Sequence, residues 1–181
     1  MTSESGLVLL VGFMGAGKTT VGRELGRLLH WSFYDLDALI EARTGRTVPA
    51  VFAEQGEPGF RKLETQTLRE LFETLEDGSA VVALGGGAFA QEVNRQIIRD
   101  HSASVVHLEV GLEEALRRCA AAPGYRPLLS ERPQVTLLYE ERLPFYRTAD
   151  VQLGTEGKQA GAVAQEIAAI LQLSPSDEEV V

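Results

Sequence analysis

Short runs of apolar residues alternate along this chain with longer segments in which apolar residues recur every three or four positions. This alternation is typical of an α/β fold, in which parallel strands are joined by helices that cover both faces of the sheet. The pattern predicts one five-stranded parallel sheet, whose first, third and fourth strands are apolar enough to be buried on both faces. The predicted strands are Leu7–Val11, Ser32–Tyr34, Ala80–Leu84, Val105–Glu109 and Val151–Leu153.

Eight helical segments are predicted from the remaining periodicity. In the last of them, the spacing places Val163, Ile167, Ile170 and Leu171 on one face. The predicted helices are Lys18–Leu29, Ala38–Arg43, Val48–Ala53, Phe60–Leu75, Gln91–Asp100, Leu112–Cys119, Gln134–Tyr146 and Ala160–Leu171.

One stretch, residues 120–133, fits neither pattern. It reads A-A-A-P-G-Y-R-P-L-L-S-E-R-P and combines small residues with three prolines and two arginines. This composition favours a loop that moves over a site, that is, a mobile lid. We expect residues 1–173 to form a single domain and the acidic residues 174–181 to form a solvated, disordered tail.

Composition excludes several classes of protein. The 17 Lys and Arg residues and 26 Asp and Glu residues give a net charge of −9, which argues against a nucleic-acid or anionic-membrane surface. The single cysteine, Cys119, excludes a disulfide scaffold. No basic targeting segment precedes Gly6, and the apolar run from Leu7 stops at Lys18, short of a membrane span. We therefore expect a cytoplasmic protein.

The clearest motif follows the first predicted strand. Residues Gly12–Thr19 read G-F-M-G-A-G-K-T, a complete G-x-x-x-x-G-K-[ST] phosphate-binding loop between a strand and a helix. Its glycines let backbone N–H groups converge on phosphate oxygens, while Lys18 reaches the outer phosphates and the Thr19 hydroxyl binds Mg²⁺. The motif predicts nucleotide binding by Gly15, Ala16, Gly17, Lys18, Thr19 and Thr20.

This loop alone does not define the reaction, because GTPases, motor ATPases and small-molecule kinases all share it. Asn94 is the only asparagine and is followed by Arg95, so an Asn-Lys-x-Asp guanine-reading motif is absent and a GTPase switch is disfavoured. Gly85–Gly87 follow the third strand, where many phosphate-loop ATPases carry an acidic residue. Three glycines instead suggest that a second ligand approaches the backbone closely.

Several motifs follow the phosphate loop in order: Y-D-L-D at Tyr34–Asp37, F-R-K-L-E at Phe60–Glu64, the triple glycine, R-P-L-L at Arg126–Leu129 and R-L-P-F-Y at Arg142–Tyr146. With them, the sequence resembles the shikimate kinases along nearly its whole length. The resemblance implies a three-layer fold like that of the phosphate-loop NTPases. It also implies that a monomer transfers the ATP γ-phosphoryl group, with Mg²⁺, to the 3-hydroxyl of shikimate.

The resemblance also implies roles for individual residues. Asp37 is the candidate catalytic base, Lys18 and Arg126 neutralise charge on the phosphoryl group, and Asp35 acts on Mg²⁺ through water. Arg61 and Arg142 bind the substrate carboxylate, which suits the planar guanidinium. The Gly86 N–H contacts a substrate oxygen within the Gly85–Gly87 turn, and Arg118 packs against adenine.

The residues themselves support part of this assignment. Asp35 and Asp37 lie just past the second strand, at the edge of the sheet where ligands bind in open α/β folds. Arg61 and Glu64 are three residues apart, on one helical face, where the carboxylate can hold the guanidinium. The simpler interpretations are a helix N-cap for Asp37, a surface ion pair for Arg61 and a solvated helix charge for Arg142.

Two other functions remain open at this stage. One is a kinase for another small hydroxy acid such as gluconate, which would share the phosphate loop and the lid. The other is a nucleotide-binding regulatory module that has lost catalysis. A kinase for a ring acid such as shikimate is distinguished from the first alternative by the residues that bind the ring acid: Asp37, Arg61, Gly86 and Arg142.

Overall fold

All five predicted strands are present, and each boundary lies within one residue of its prediction. The computed structural model describes residues 6–75, 78–121 and 132–175. The strands are β1 Leu7–Val11, β2 Ser32–Asp35, β3 Ala80–Ala83, β4 Ser104–Glu109 and β5 Val151–Gly154. As predicted, they run parallel in one sheet; the order of the strands in it is β2-β3-β1-β4-β5.

The strand order explains which strands are buried. β3, β1 and β4 occupy the centre of the sheet, where Leu10 of β1 lies opposite Ala83 and Val106. Their apolar residues are almost wholly buried, whereas the edge strands β2 and β5 are partly exposed. The prediction that these three strands are covered on both faces is therefore confirmed.

Seven helices and one short 3₁₀ turn connect or follow the strands within the described residues. Helices cover both faces of the sheet, with α1 and α7 packed together. The elements are α1 Lys18–Leu29, α2 Leu36–Thr44, α3 Val48–Thr74, the 3₁₀ turn Ala88–Ala90, α4 Glu92–Asp100, α5 Leu112–Ala121, α6 Arg132–Tyr146 and α7 Ala160–Ile170.

Helix α3 combines two helices that were predicted separately, and it is sharply bent at Gly56. Gly56 has φ 66° and ψ 179°, a conformation that is essentially restricted to glycine. Pro58 follows two residues later and has no N–H to continue the helical hydrogen bonds. The part of α3 after the bend carries Arg61 and Glu64, which lie beside the glycines that follow β3.

Only part of the predicted face of α7 is buried. Val163 and Ile167 are buried, but Ile170 is 50% exposed. Ala164 is also buried, so the buried arc is centred between Val163 and Ala164. At about 100° per residue, Ile170 lies at the margin of that arc rather than within it.

The segments that follow β1, β2 and β3 converge at the carboxyl edge of the sheet, where ligands bind in folds of this class. Residues 122–131 of the predicted lid, including Arg126, lie outside the described residues, as do tail residues 176–181. Residues 120–121 and 132–133 belong to α5 and α6. No helix in the described ranges combines the length and apolarity needed to cross a membrane.

Candidate active site

The phosphate loop connects β1 to α1 through backbone conformations that require glycine. Gly12, Gly15 and Gly17 have φ values of 149°, 73° and 93°. A Cβ on Gly12 would lie 2.6 Å from the Leu108 carbonyl oxygen, and one on Gly15 would lie 2.6 Å from the Ala115 oxygen. Any other residue at these three positions would therefore be strained, and at Gly12 or Gly15 it would also collide with backbone. The Ala16 side chain is buried beneath the loop.

Lys18 begins α1 and folds back over the loop. Its Nζ donates to the carbonyl oxygens of Gly12 at 2.8 Å and Phe13 at 3.0 Å. Burial lowers the pKa of Lys18 to about 8, opposed by the negative charges of Asp37 and Asp35. Lys18 therefore remains mostly protonated at pH 7, at the start of a helix whose dipole also favours anions.

The Thr19 hydroxyl donates to Asp35 Oδ2 at 2.7 Å and so connects α1 to the end of β2. The other oxygen of Asp35 accepts from the backbone N–H groups of Asp37, at 3.1 Å, and Ala38, at 3.4 Å. Asp35 is therefore the N-cap of α2, and the simpler interpretation of Asp37 as that cap is wrong. The cap must precede the first helical residue, and α2 begins at Leu36.

Asp37 lies in the first turn of α2 with its carboxylate free of the capping role. Burial raises the pKa of Asp37, the neighbouring Asp35 charge raises it further, and Lys18 opposes both. Asp37 is thus a carboxylate with increased basicity beside a lysine of the phosphate loop.

The three glycines after β3 each lie beneath a different charged group. A Cβ on Gly85 would be 2.7 Å from Asp37 Oδ1 and 3.0 Å from Glu64 Oε1. A Cβ on Gly86 would be 2.9 Å from Arg142 Nη1, and one on Gly87 would be 2.7 Å from Arg61 Cζ. These glycines therefore bring side chains from α2, α3 and α6 together against one short stretch of backbone.

Arg61 is held by carboxylates of its own helix. Its Nη1 pairs with Glu64 at 2.9 Å and its Nη2 with Glu57 at 3.2 Å, while its side chain is only 18% exposed. The guanidinium also lies over the ring of Phe60, 5.5 Å from its centroid. The interpretation of Arg61 as part of a simple surface ion pair is therefore wrong, because the carboxylate of its partner Glu64 is buried.

Glu64 is the most perturbed carboxylate of this region. Burial raises its pKa to about 7, although the Arg61 charge and hydrogen bond lower it. Gln91 Nε2 donates to Oε2 at 2.6 Å, whereas Oε1 is buried without a hydrogen-bond partner. Oε1 faces Gly85 and Asp37.

Two adjacent cavities open around these residues. The first, of about 580 Å³, is lined by the phosphate loop with Asp35 and Asp37. The second, of about 460 Å³, is lined by Arg61, Gly87 and Arg142. Gly15, Gly17, Lys18, Thr19, Thr20, Arg118 and Cys119 also line the first cavity. Of the predicted site residues in the described part of the chain, Ala16, Gly85 and Gly86 line neither cavity, and all the others line one of the two.

Arg118 borders the first cavity from α5. Its Nη1 donates to the Gly15 carbonyl at 3.2 Å and to Thr155 Oγ1 at 3.1 Å, and its Nε donates to Glu114 at 2.8 Å. Its neighbour Arg117 is 71% exposed. Arg118, and not Arg117, therefore connects the phosphate loop to the segment after β5.

The sequence did not reveal the contacts of Asn94, or that Gln91 lies beside Glu64. Asn94 is fully buried, donates to the Ala88 carbonyl at 2.9 Å and accepts from Thr65 at 2.8 Å. It thereby holds the turn after the triple glycine against α3. Its status as the only asparagine was the sole signal in the sequence, and that signal served only to exclude a guanine motif.

The hard oxygen atoms at Thr19 and Asp35 suit Mg²⁺. This ion commonly uses one or two protein oxygens together with nucleotide phosphates and water, so a dedicated cage is not needed. Across residues 6–75, 78–121 and 132–175, no group of three or more His, Cys, Asp or Glu residues could hold a metal on its own. The donor set therefore fits Mg²⁺ that arrives with a nucleotide.

Comparison with known proteins gives consistent matches. The family model for shikimate kinase matches residues 14–172. A shikimate kinase of Moorella thermoacetica is 43% identical over 164 residues, which cover 90% of this chain and 92% of the relative. The structure of shikimate kinase from Acinetobacter baumannii in complex with shikimate has a TM-score of 0.83 and 38% identity, covering 93% of this chain and 94% of that one.

A gluconokinase from Sinorhizobium meliloti is more distant. It has a TM-score of 0.60 and 18% identity, covering 94% of this chain and 98% of the gluconokinase. At that identity the likeness shows a shared fold and nothing about the acceptor.

Proposed function

The chain belongs to the shikimate kinase family, and we propose that it transfers the γ-phosphoryl group of ATP to the 3-hydroxyl of shikimate. The products are shikimate 3-phosphate and ADP. Membership of this family makes the chain an ATP-dependent kinase whose acceptor is an alcohol group. The roles of individual residues below are part of the proposal.

One observation supports the acceptor most directly: a carboxylate and two arginines meet over the triple glycine, beside the phosphate-loop cavity. Arg61 and Arg142 line a cavity that would take a carboxylate, which guanidinium groups bind through paired hydrogen bonds. Asp37 lies towards the phosphate loop and would accept a hydrogen bond from the acceptor hydroxyl. A small hydroxy acid that spans both cavities fits this arrangement.

Asp37 would orient the acceptor hydroxyl and accept its proton. A general base works best when its pKa approaches the working pH, and burial raises the pKa of Asp37 in that direction. The Lys18 charge opposes this increase in pKa by favouring the ionised carboxylate.

The phosphate loop would position the nucleotide. Its backbone N–H groups and Lys18 would hold the phosphates and neutralise charge as the γ-phosphoryl group moves. Thr19 would ligate Mg²⁺ and Asp35 would contact it through water, and the ion would supply further neutralisation of the phosphate charge.

Two arginines complete the proposed nucleotide site. Arg118, connected to Gly15 and Thr155, would pack against adenine. Arg126 would approach the γ-phosphoryl group from the lid, whose closure would exclude the water that otherwise hydrolyses ATP.

The decisive experiment measures ADP release with Mg²⁺ and ATP across shikimate, gluconate and other hydroxy acids. We expect turnover with shikimate, at least 100-fold above gluconate in kcat/KM. Preference for gluconate would contradict the proposed acceptor. ATP binding with no turnover on any acid would instead support a regulatory module.

The base is tested by Asp37→Asn. Turnover should fall to near the detection limit, while shikimate binding measured by calorimetry is largely kept. Near-normal turnover would contradict the role of Asp37 as base.

A further inference from the structure

Arg142 and Tyr146 lie one turn apart on α6 and both reach the triple glycine. Tyr146 is 1% exposed, and its hydroxyl donates to the carbonyl oxygen of Gly86. Arg142 Nη1 lies beside the same hydroxyl: a Cβ on Gly86 would be 2.9 Å from Nη1 and 3.6 Å from the hydroxyl oxygen. The Arg142 charge lowers the pKa of the phenol, in opposition to burial. A guanidinium only donates, so the hydroxyl oxygen can accept from Arg142 while its proton is donated to Gly86.

The three glycine carbonyls are held in different ways. Backbone N–H groups of the 3₁₀ turn hold two of them: Ala88 binds the Gly85 oxygen at 3.0 Å, and Ala90 binds the Gly87 oxygen at 3.2 Å. The Gly86 carbonyl is held by the Tyr146 side chain. Because the peptide unit is planar, holding this oxygen also fixes the direction of the Gly87 N–H.

The ring of Tyr146 is itself held from behind. The His107 ring stacks against it, with centroids 5.2 Å apart and planes at 29°. His107 Nδ1 lies 2.6 Å from Gln152 Oε1, while Gln152 Nε2 donates to the Tyr146 carbonyl at 3.3 Å and the Ala149 carbonyl at 3.2 Å. These two acceptors fix the orientation of the Gln152 amide, so His107 Nδ1 is the donor in its bond to Oε1.

We propose that Tyr146 is a positioning residue for the acceptor site: its hydroxyl fixes the Arg142 guanidinium and, through the Gly86 carbonyl, the glycine turn in the orientation that binds substrate. This inference rests on the acceptor-binding role proposed above for Arg142. Tyr146 acts through these two groups and does not need to touch the substrate.

The electrostatics of Tyr146 agree with this role. Burial raises its pKa to about 12, so the phenol keeps its proton at neutral pH. It therefore serves as a constant donor to Gly86 and does not take part in proton transfer. Its removal would leave the Gly86 carbonyl and Arg142 without the partner that orients them.

The test is Tyr146→Phe, which removes the oxygen and keeps the ring on His107. Loss of a hydrogen bond to a charged group should raise the shikimate KM about 10-fold. We expect kcat to fall no more than about threefold and the ATP KM to stay within about twofold, since the phosphate loop is not involved. KM values do not depend on the fraction of folded enzyme, so partial misfolding does not obscure the comparison.

The matched control is Tyr139→Phe on the same helix. The Tyr139 hydroxyl also donates to a carbonyl, that of Val110 at 3.1 Å, but away from the triple glycine. This variant should leave the shikimate KM unchanged. An unchanged shikimate KM in Tyr146→Phe, or equal increases in both variants or for both substrates, would overturn the proposal.

A double-mutant cycle with Arg142→Ala separates this inference from the proposed function. If Tyr146 acts through Arg142, the double variant should raise the shikimate KM by less than the product of the two single effects. Fully multiplicative effects would overturn the positioning role. Absence of shikimate turnover in the unaltered chain would instead contradict the proposed function itself.

Discussion

The proposed nucleotide half and the proposed acceptor half of the site are built on different principles. The centre of the nucleotide half is one continuous segment, Gly12–Thr19, which combines backbone conformations typical of glycine with one lysine. The acceptor half collects side chains from α2, α3 and α6 over the glycines that follow β3. The first is therefore specified by local sequence, whereas the second depends on how distant elements pack.

The two halves also treat charge differently. Lys18 is buried among backbone carbonyls, and burial is the main cause of its lowered pKa. Arg61 is instead paired with Glu57 and Glu64. A ligand that enters the acceptor half must therefore share Arg61 with the carboxylates that already bind it. Phosphates instead meet Lys18, which has no carboxylate among its hydrogen-bond acceptors in the described residues.

The largest expected effect tests whether the halves are separable. Lys18→Ala should reduce turnover about 10³-fold, because it removes a charge that stabilises the transferring group. Shikimate affinity measured by calorimetry should change no more than about threefold. Arg27→Ala, an exposed position on the same helix, is the control. A comparable loss of shikimate binding would show that the halves are coupled.

The next effect concerns the stability of the acceptor half. The folded-state pKa of Glu64 is about 7 against an ordinary value of 4.5, so its contribution to stability is fully present below pH 4.5 and is lost as pH rises to 7. Glu64→Gln removes this dependence. Relative to the unaltered chain, the variant should gain on the order of 3 kcal/mol between pH 4.5 and pH 7.5, measured by urea unfolding. A difference that is independent of pH would contradict the burial cost.

Gly87→Ala tests the acceptor half directly. The new Cβ would lie 2.7 Å from Arg61 Cζ, so the guanidinium must move. We expect the shikimate KM to rise about 30-fold with the ATP KM within twofold, since a displacement of about 1 Å can cost up to 100-fold. Gly154→Ala is the control, because a Cβ there meets open space. Equal effects of the two substitutions would exclude a specific role for the collision.

The smallest effect is the pH dependence of nucleotide binding. ATP should bind preferentially to the protonated form of Lys18, whose pKa is about 8. ATP affinity should therefore fall about 10-fold between pH 7 and pH 9, as measured by calorimetry. Shikimate affinity should stay nearly constant over this range, because the arginines remain charged. A flat ATP profile would contradict the lowered lysine pKa.

The difference between the two halves also determines how much of each could be predicted from the sequence. Strand positions and the phosphate loop follow from periodicity and from contiguous motifs, and both agree with the structure within a residue. The bend at Gly56 was visible only as a gap between two predicted helices. The structure assigns the cap of α2 to Asp35 and not Asp37, because a cap depends on where the helix begins, and that boundary is poorly defined by sequence.

The acceptor half was harder to derive from the residues alone. Resemblance to a known family supplied Asp37, Arg61 and Arg142, but no periodicity shows that residues 37, 61, 86 and 142 meet. The contacts of Tyr146, Gln91 and Asn94 were missed for the same reason: each depends on a partner from a separate element. Long-range packing of this kind becomes visible only in three dimensions.

The triple glycine also restricts the order in which this site could change during evolution. An alanine at each glycine would displace a different neighbour: Asp37 and Glu64 at Gly85, Arg142 at Gly86 and Arg61 at Gly87. A larger residue at Gly87 becomes tolerable only after Arg61 has been lost or has moved. A side chain at these glycines therefore costs nothing only in a chain that no longer needs the charged groups, so we expect the charged groups to be lost before the glycines.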